Sequence, residues 1–197
     1  MNIDDLETGD MILFSGNYYI SKIIEYFSGS KYSHVAVIIK NPDFFDDKLE
    51  GLYILESGYE NKPDSENDRY KFGVQLTDFK EMALNYSGNI YVRKLHCNRD
   101  QDFYNKINQI HSDVHNLPYD TNIIDWIKAK FDIEIGYLQK TNTFWCSALV
   151  SYFYVKLGFL NKSIPWTLIS PQELSSSSNK LQFENCKLDN DKLIIIN

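Results

Sequence analysis

FWCSALVSYFYVKLGFL, residues 144–160, carries the strongest helical pattern in the chain. Ala148, Leu149, Tyr152, Phe153, Val155 and Leu157 form a wide apolar surface, and Gly158 stands where a helix C-terminus favours glycine. The pattern predicts a central buried helix. Cys146 lies at its mouth behind the polar approach 140–142, so its sulfur would sit over the helix N-terminus. Unpaired amides and aligned peptide dipoles there favour thiolate over thiol. Position alone leaves two readings open: a nucleophile, or a small buried hydrophobe, the usual fate of a free cysteine.

Outward from this helix the chain alternates between strand and helix signals. Short apolar runs at 11–14, 34–39, 53–55, 73–76 and 89–95 read as strands, the second and third joined by a long hairpin. Helical spacing recurs over 18–27 and 102–115, a short helix over 77–84 has Thr77 or Asp78 as cap, and another helix falls within 122–135. The run at 193–196 reads as a closing strand, and the polar, charged segment 60–70 as an exposed loop or mobile flap. No internal repeat or domain boundary interrupts the pattern, so residues 1–197 are read as one α+β domain.

Composition narrows the partners. The 20 basic against 27 acidic residues give a net charge of −7 in a chain of 197, with no dense Lys/Arg run, which argues against nucleic acid. No apolar stretch is long enough to span a bilayer. The first ten residues are acidic and read as neither a secretory signal nor a transit peptide. Cys97, Cys146 and Cys186 are far apart in sequence and form no CxxC, against both a disulfide scaffold and a thiolate zinc site. A reducing, cytoplasm-like compartment is expected. The abundance of Tyr, Phe, Asn, Ile and Lys is the usage of A/T-rich genomes, large DNA viruses among them.

A cysteine nucleophile needs a base. His34 opens the apolar strand 34–39, where a side chain can face a cleft from a rigid support, although a surface histidine at a strand end remains the alternative. Glu56 ends the next strand and qualifies to orient the imidazole, against the plainer reading of a surface carboxylate. Asp10, in a Gly-Asp pair, is read as a structural turn residue. His96, His111 and His115 are expected to be mostly solvated. His111 and His115 have the i, i+4 spacing of a helical metal pair, yet no acidic residue or third ligand accompanies them in the sequence, so neither metal nor cofactor is expected.

Taken together, GDMILF (9–14), SGSKYSHVAVII (28–39), YILES (53–57), LPYD (117–120), the helix at 144–160 and ISPQEL (169–174) occur in an order that resembles a known group. This is the circularly permuted, papain-like branch of the NlpC-type cysteine hydrolases, which includes YiiX-type bacterial proteins and poxvirus relatives. The resemblance covers about residues 9–174. It implies an α+β fold in which a nucleophile-bearing helix packs on an antiparallel sheet that carries the base. It also implies Cys146 as nucleophile, His34 as general base and Glu56 as the residue orienting His34. Tyr119 would offer a hydroxyl near the oxyanion, or else simply pack on the sheet, and Trp145 and Trp166 would wall the cleft unless they belong to the core. The segments 40–52 and 60–69 depart from the family pattern.

The implied activity is a thiol hydrolase or acyltransferase acting on an amide, ester or thioester through a covalent acyl-enzyme, with peptide, isopeptide or lipid-acyl substrates. Two other readings stand beside it. One is an inactive fold serving as a binding or interaction protein, and the other a metal-dependent hydrolase built on His111 and His115.

Overall fold

Along β2 (His34–Lys40), alternating side chains sort the interior into two halves. Val35, Val37 and Ile39 join one apolar cluster, Ala36 and Ile38 another. A strand covered on both sides keeps no polar face, which is why its sequence is an almost unbroken apolar run. The computed structural model describes residues 2–16, 31–59, 62–120 and 141–195. Within them the expected α+β fold is present. β1 (Met11–Gly16), β2, β3 (Leu52–Gly58), β4 (Gly73–Asp78), β5 (Gly88–Arg93) and β8 (Lys192–Leu193) form a six-stranded sheet in the order β4-β3-β2-β1-β5-β8. Every pairing in it is antiparallel. A short ribbon joins β6 (Leu95–His96) to β7 (Lys187–Leu188). The helices expected over 18–27 and 122–135 lie outside the described residues.

Helix α1 (Phe79–Asn85) begins where the Asp78 side chain accepts a hydrogen bond from the Glu81 amide at 2.8 Å. Asp100 does the same for α2 (Gln101–Val114), accepting from the Phe103 amide at 3.0 Å. The expected central helix is α3 (Cys146–Leu157), in which Lys156 alone is exposed. Its apolar residues run all round the axis because it is covered all round: β2 and β3 lie under it, and α2 and the residues near Trp166 flank it. Gly158 ends it in the left-handed conformation, φ 80°. A short α4 (Pro171–Leu174) carries a reciprocal capping box between Ser170 and Glu173. Phe79, Met82 and Ala83 of α1 cover the opposite sheet face.

Several readings that the sequence left open are resolved. Asp78, not Thr77, caps α1. Trp166 is core rather than cleft wall, stacked on Phe144 and edge-on to Tyr152. The described part of the 60–70 loop is stapled down by Asp64, whose buried carboxylate accepts from the amides of Glu66 (2.8 Å) and Leu76 (3.1 Å) and from the Lys71 ammonium (2.8 Å). Cys97 and Cys186, far apart in sequence, face each other one step beyond the β6–β7 pairing as free thiols. Burial pushes the Cys186 thiol up to about 11, with the charge of Cys97 adding to it.

Asp10 is structural, as expected, but it does more than turn the chain. Its fully buried carboxylate accepts from the amides of Glu7 (2.9 Å) and Leu95 (2.8 Å) and pairs with Lys94 at 2.7 Å. Asp10→Ala strands two amides and a largely buried ammonium. It is expected to cost about 3 kcal/mol or more of stability in urea denaturation followed by circular dichroism.

Candidate functional site

The β2–β3 register pairs Val37 with Leu55 and Ile38 with Ile54. By alternation His34 and Glu56 therefore share one face, and they lie diagonally across the strand pair. The two side chains meet in a hydrogen bond of 2.7 Å between His34 Nε2 and Glu56 Oε2. Glu56 is fully buried, and its second oxygen accepts from the Thr77 hydroxyl on β4 at 2.6 Å. A buried carboxylate is tolerable only with such partners. Phe14 on β1 packs its ring at 5.4 Å from the imidazole, fixing the other side.

Cys146 approaches from the opposite direction. It is the first residue of α3, belongs to the cluster under that helix, and is 2% exposed. His34 opens β2 on the other face, so the two meet around the end of the sheet. Two hydroxyls hold the sulfur's position: Ser57 of β3 donates to the Phe144 carbonyl at 2.6 Å, and Ser147 donates to the Ile169 carbonyl at 2.6 Å. Trp145 occupies the N-cap position with extended backbone, and no side chain caps the helix. Among the described residues the other three α-helices are each capped by Asp78, Asp100 or Ser170, whereas the first turn of α3 has no side-chain cap and its amides point toward an anion site.

Electrostatics tie the groups together. Burial alone would push the His34 imidazole down, but the Cys146 sulfur, by charge and by hydrogen bond, and the Glu56 carboxylate hold it well above the ordinary 6.5. With Nε2 given to Glu56, Nδ1 is the nitrogen left to face the sulfur. Tyr119 joins the same environment: burial raises its phenol well above its ordinary range, and the charge of Cys146 adds to the shift. Its hydroxyl is a proton donor at every physiological pH. Tyr119 is held by stacking on Phe72 and by a bridge to Phe144. The preceding residues dock at Gly73, where an added Cβ would lie 2.2 Å from the Leu117 carbonyl oxygen. Trp145 is half-buried beside the sulfur-bearing residue.

Three groups at this site have no sequence signal. Thr77, Ser57 and Gln75 reach it only through strand register. Gln75 lies opposite Glu56 on β4, buried, with neither polar atom of its amide hydrogen-bonded. The remaining histidines correct the sequence reading. His96 is exposed beside Asp189, whereas His111 is buried and stacked on Phe45 at 3.8 Å. The expectation that no acidic residue accompanies His111 and His115 also fails, because Glu66 reaches both, at 2.9 and 3.0 Å. Burial holds the His115 imidazole below its ordinary value, although Glu66 pulls the other way.

No protein-family model matches this chain, and no curated protein sequence does. Among solved structures, the metalloprotein yiiX from Escherichia coli O157:H7, a DUF1105 protein, superposes with a TM-score of 0.52 over 96% of each chain. The fold is yiiX-like. At 16% sequence identity the likeness to yiiX carries architecture and no chemistry. No helix among the described residues is long and apolar enough to cross a membrane.

Proposed function

We propose that the chain is a thiol hydrolase or acyltransferase of permuted papain-like architecture, with Cys146 as nucleophile. The observation that carries this reading is the buried pair of His34 and Glu56, 2.7 Å apart, next to a cysteine that begins α3. In the resting pair His34 holds the proton and Cys146 the negative charge, favoured by the α3 N-terminus. The thiolate attacks the carbonyl carbon of an amide, ester or thioester. Its oxygen takes the negative charge and is met by the first-turn amides of α3, with the Tyr119 hydroxyl as a further donor. His34 then gives its proton to the departing amine, alcohol or thiol, leaving an acyl-Cys146 thioester. Water or another acceptor, deprotonated by His34, releases the acyl group. Glu56, anchored by Thr77, keeps the ring in the one orientation that serves both steps. Peptide, isopeptide and fatty-acyl carbonyls all suit this machinery.

The test is iodoacetamide labelling of Cys146 across pH, read by mass spectrometry, with Cys97 and Cys186 replaced by serine. Wild-type Cys146 is expected to react readily at pH 7 and below, where a free thiol of pKa about 8.5 is almost entirely protonated. At pH 7 His34→Ala is expected to slow that reaction by about thirtyfold, the fraction of thiolate lost. A Cys146 that titrates as an ordinary thiol, indifferent to His34, would overturn the reading.

A further inference from the structure

On the side of α2 that faces the 62–71 loop, His111 and His115 stand one helical turn apart with their rings stacked, centroids 4.6 Å apart. Both Nε2 atoms converge on one oxygen of Glu66, at 2.9 and 3.0 Å, and all three ligand atoms lie within 4.8 Å of one another. We propose that Glu66, His111 and His115 bind one divalent transition-metal ion, a site separate from the cysteine chemistry and not dependent on it.

The surroundings are those of a prepared site. His111 is fixed by stacking on Phe45, and the Asn116 amide engages the far nitrogen of His115 at 3.2 Å. With a metal on Nε2 the Nδ1 of His115 would carry the proton, and Asn116 would turn its amide to present the oxygen there. Glu66 is held from behind, since its amide donates to the buried Asp64 carboxylate and the Ser65 amide donates to the Leu76 carbonyl at 2.8 Å. Asn67 adds a bond to Asn116 at 3.2 Å, tying the loop to the end of α2. The nearby cation, Lys71, sits 3.5 Å from His115 Nε2 but is neutralised by Asp64 at 2.8 Å. Ligand atoms in a tetrahedral zinc site are about 3.3 Å apart, so the two histidine–Glu66 spacings of 2.9 and 3.0 Å already lie close to that value.

The donor set selects the ion. Two imidazole nitrogens and one carboxylate oxygen suit Zn²⁺, Co²⁺ or Fe²⁺, whereas Ca²⁺ and Mg²⁺ ask for oxygen alone. Three protein ligands leave a fourth position for water. The ion would clamp the loop that follows β3 to the end of α2, four residues before Tyr119.

Titration of chelator-stripped, full-length protein with Co²⁺ tests the site, because the optical spectrum identifies the ligands. One equivalent is expected to produce weak visible d–d bands without the intense near-ultraviolet absorption of a cobalt–thiolate bond, and Zn²⁺ is expected to displace it. His115→Ala should weaken binding more than about a hundredfold, beyond the loss of an outer partner, while Cys146→Ala should leave it unchanged. Glu66→Gln, a conservative change in a loop residue, provides the same loss should the histidine variant fold poorly, and circular dichroism verifies each fold. Absence of stoichiometric binding, binding retained in both ligand variants, or a thiolate band that disappears in Cys146→Ala would each overturn the site. None of these outcomes bears on the labelling of Cys146, so the two proposals fail separately.

Discussion

Cys146→Ser is expected to abolish the proposed turnover of thioester and activated-ester substrates, a loss of about 10⁴-fold or more, because a serine hydroxyl beside the same imidazole is not ionised and the two groups act as a unit. Ser147 cannot substitute for it, since its hydroxyl is committed to the Ile169 carbonyl. The check is a panel of p-nitrophenyl esters and acyl thioesters, followed by intact-mass detection of the acyl-enzyme in wild type and its absence in the variant. The wild-type pH profile carries a second signature. His34 must be protonated to supply the leaving group, and its pKa lies well above 6.5. On amide substrates, whose amine leaves only with a proton, activity should therefore hold through neutral pH and fall on the alkaline side as the ring loses its proton, about tenfold per pH unit. Alkylation, which needs no proton donor, should not fall there.

Glu56→Ala is expected to remove nearly as much. It takes away the acceptor that fixes the His34 ring and leaves the Thr77 hydroxyl and a buried imidazole nitrogen unpaired. Loss of the orienting carboxylate in an analogous triad costs about 10⁴ in turnover, and breaking a buried ion pair costs about 3–5 kcal/mol of stability. Low activity could then reflect poor folding, which is why Glu56→Gln is the informative partner. It keeps the shape and a hydrogen bond to Thr77 but lacks the charge that raises His34. The folded glutamine variant should lose about 10²–10⁴ in rate and move its alkaline limb toward 6.5, a shift that a purely structural role for Glu56 would not produce. An unmoved limb in a folded Glu56→Gln protein would remove Glu56 from the mechanism.

Much of this arrangement was legible because its chemistry coincides with strong periodic signals. Cys146 stands at the start of the most apolar helix, and His34 opens the most apolar strand, so each position was tied to an element that pattern alone identifies. Glu56 was less secure, because a slip of one residue between β2 and β3 would have turned it to the other face. The Val37–Leu55 register settles its side. What escaped the sequence is what depends on contacts between distant segments. Thr77 read as a helix cap because it precedes α1, and only the β3–β4 pairing reveals that it serves Glu56. Asp10 read as a turn residue because a sequence does not show that an apolar shell closes over a carboxylate. Glu66 was invisible for a third reason: it lies in a loop, where no periodicity says which way a side chain points, and its partners are 45 and 49 positions further on.

The meeting of His34 and Cys146 around the end of the sheet has a bearing on biosynthesis. The groups that tune the thiol are made early and the thiol itself late, so a growing chain already holds base and carboxylate when Cys146 emerges. That cysteine has no imidazole beside it until α3 docks across β2 and β3. In an unfolded chain it has no such neighbour, so on the proposed mechanism an incomplete protein carries no activated nucleophile. On the proposed mechanism reactivity arrives when α3 docks, so the rate of Cys146 labelling also serves as a clock for that step.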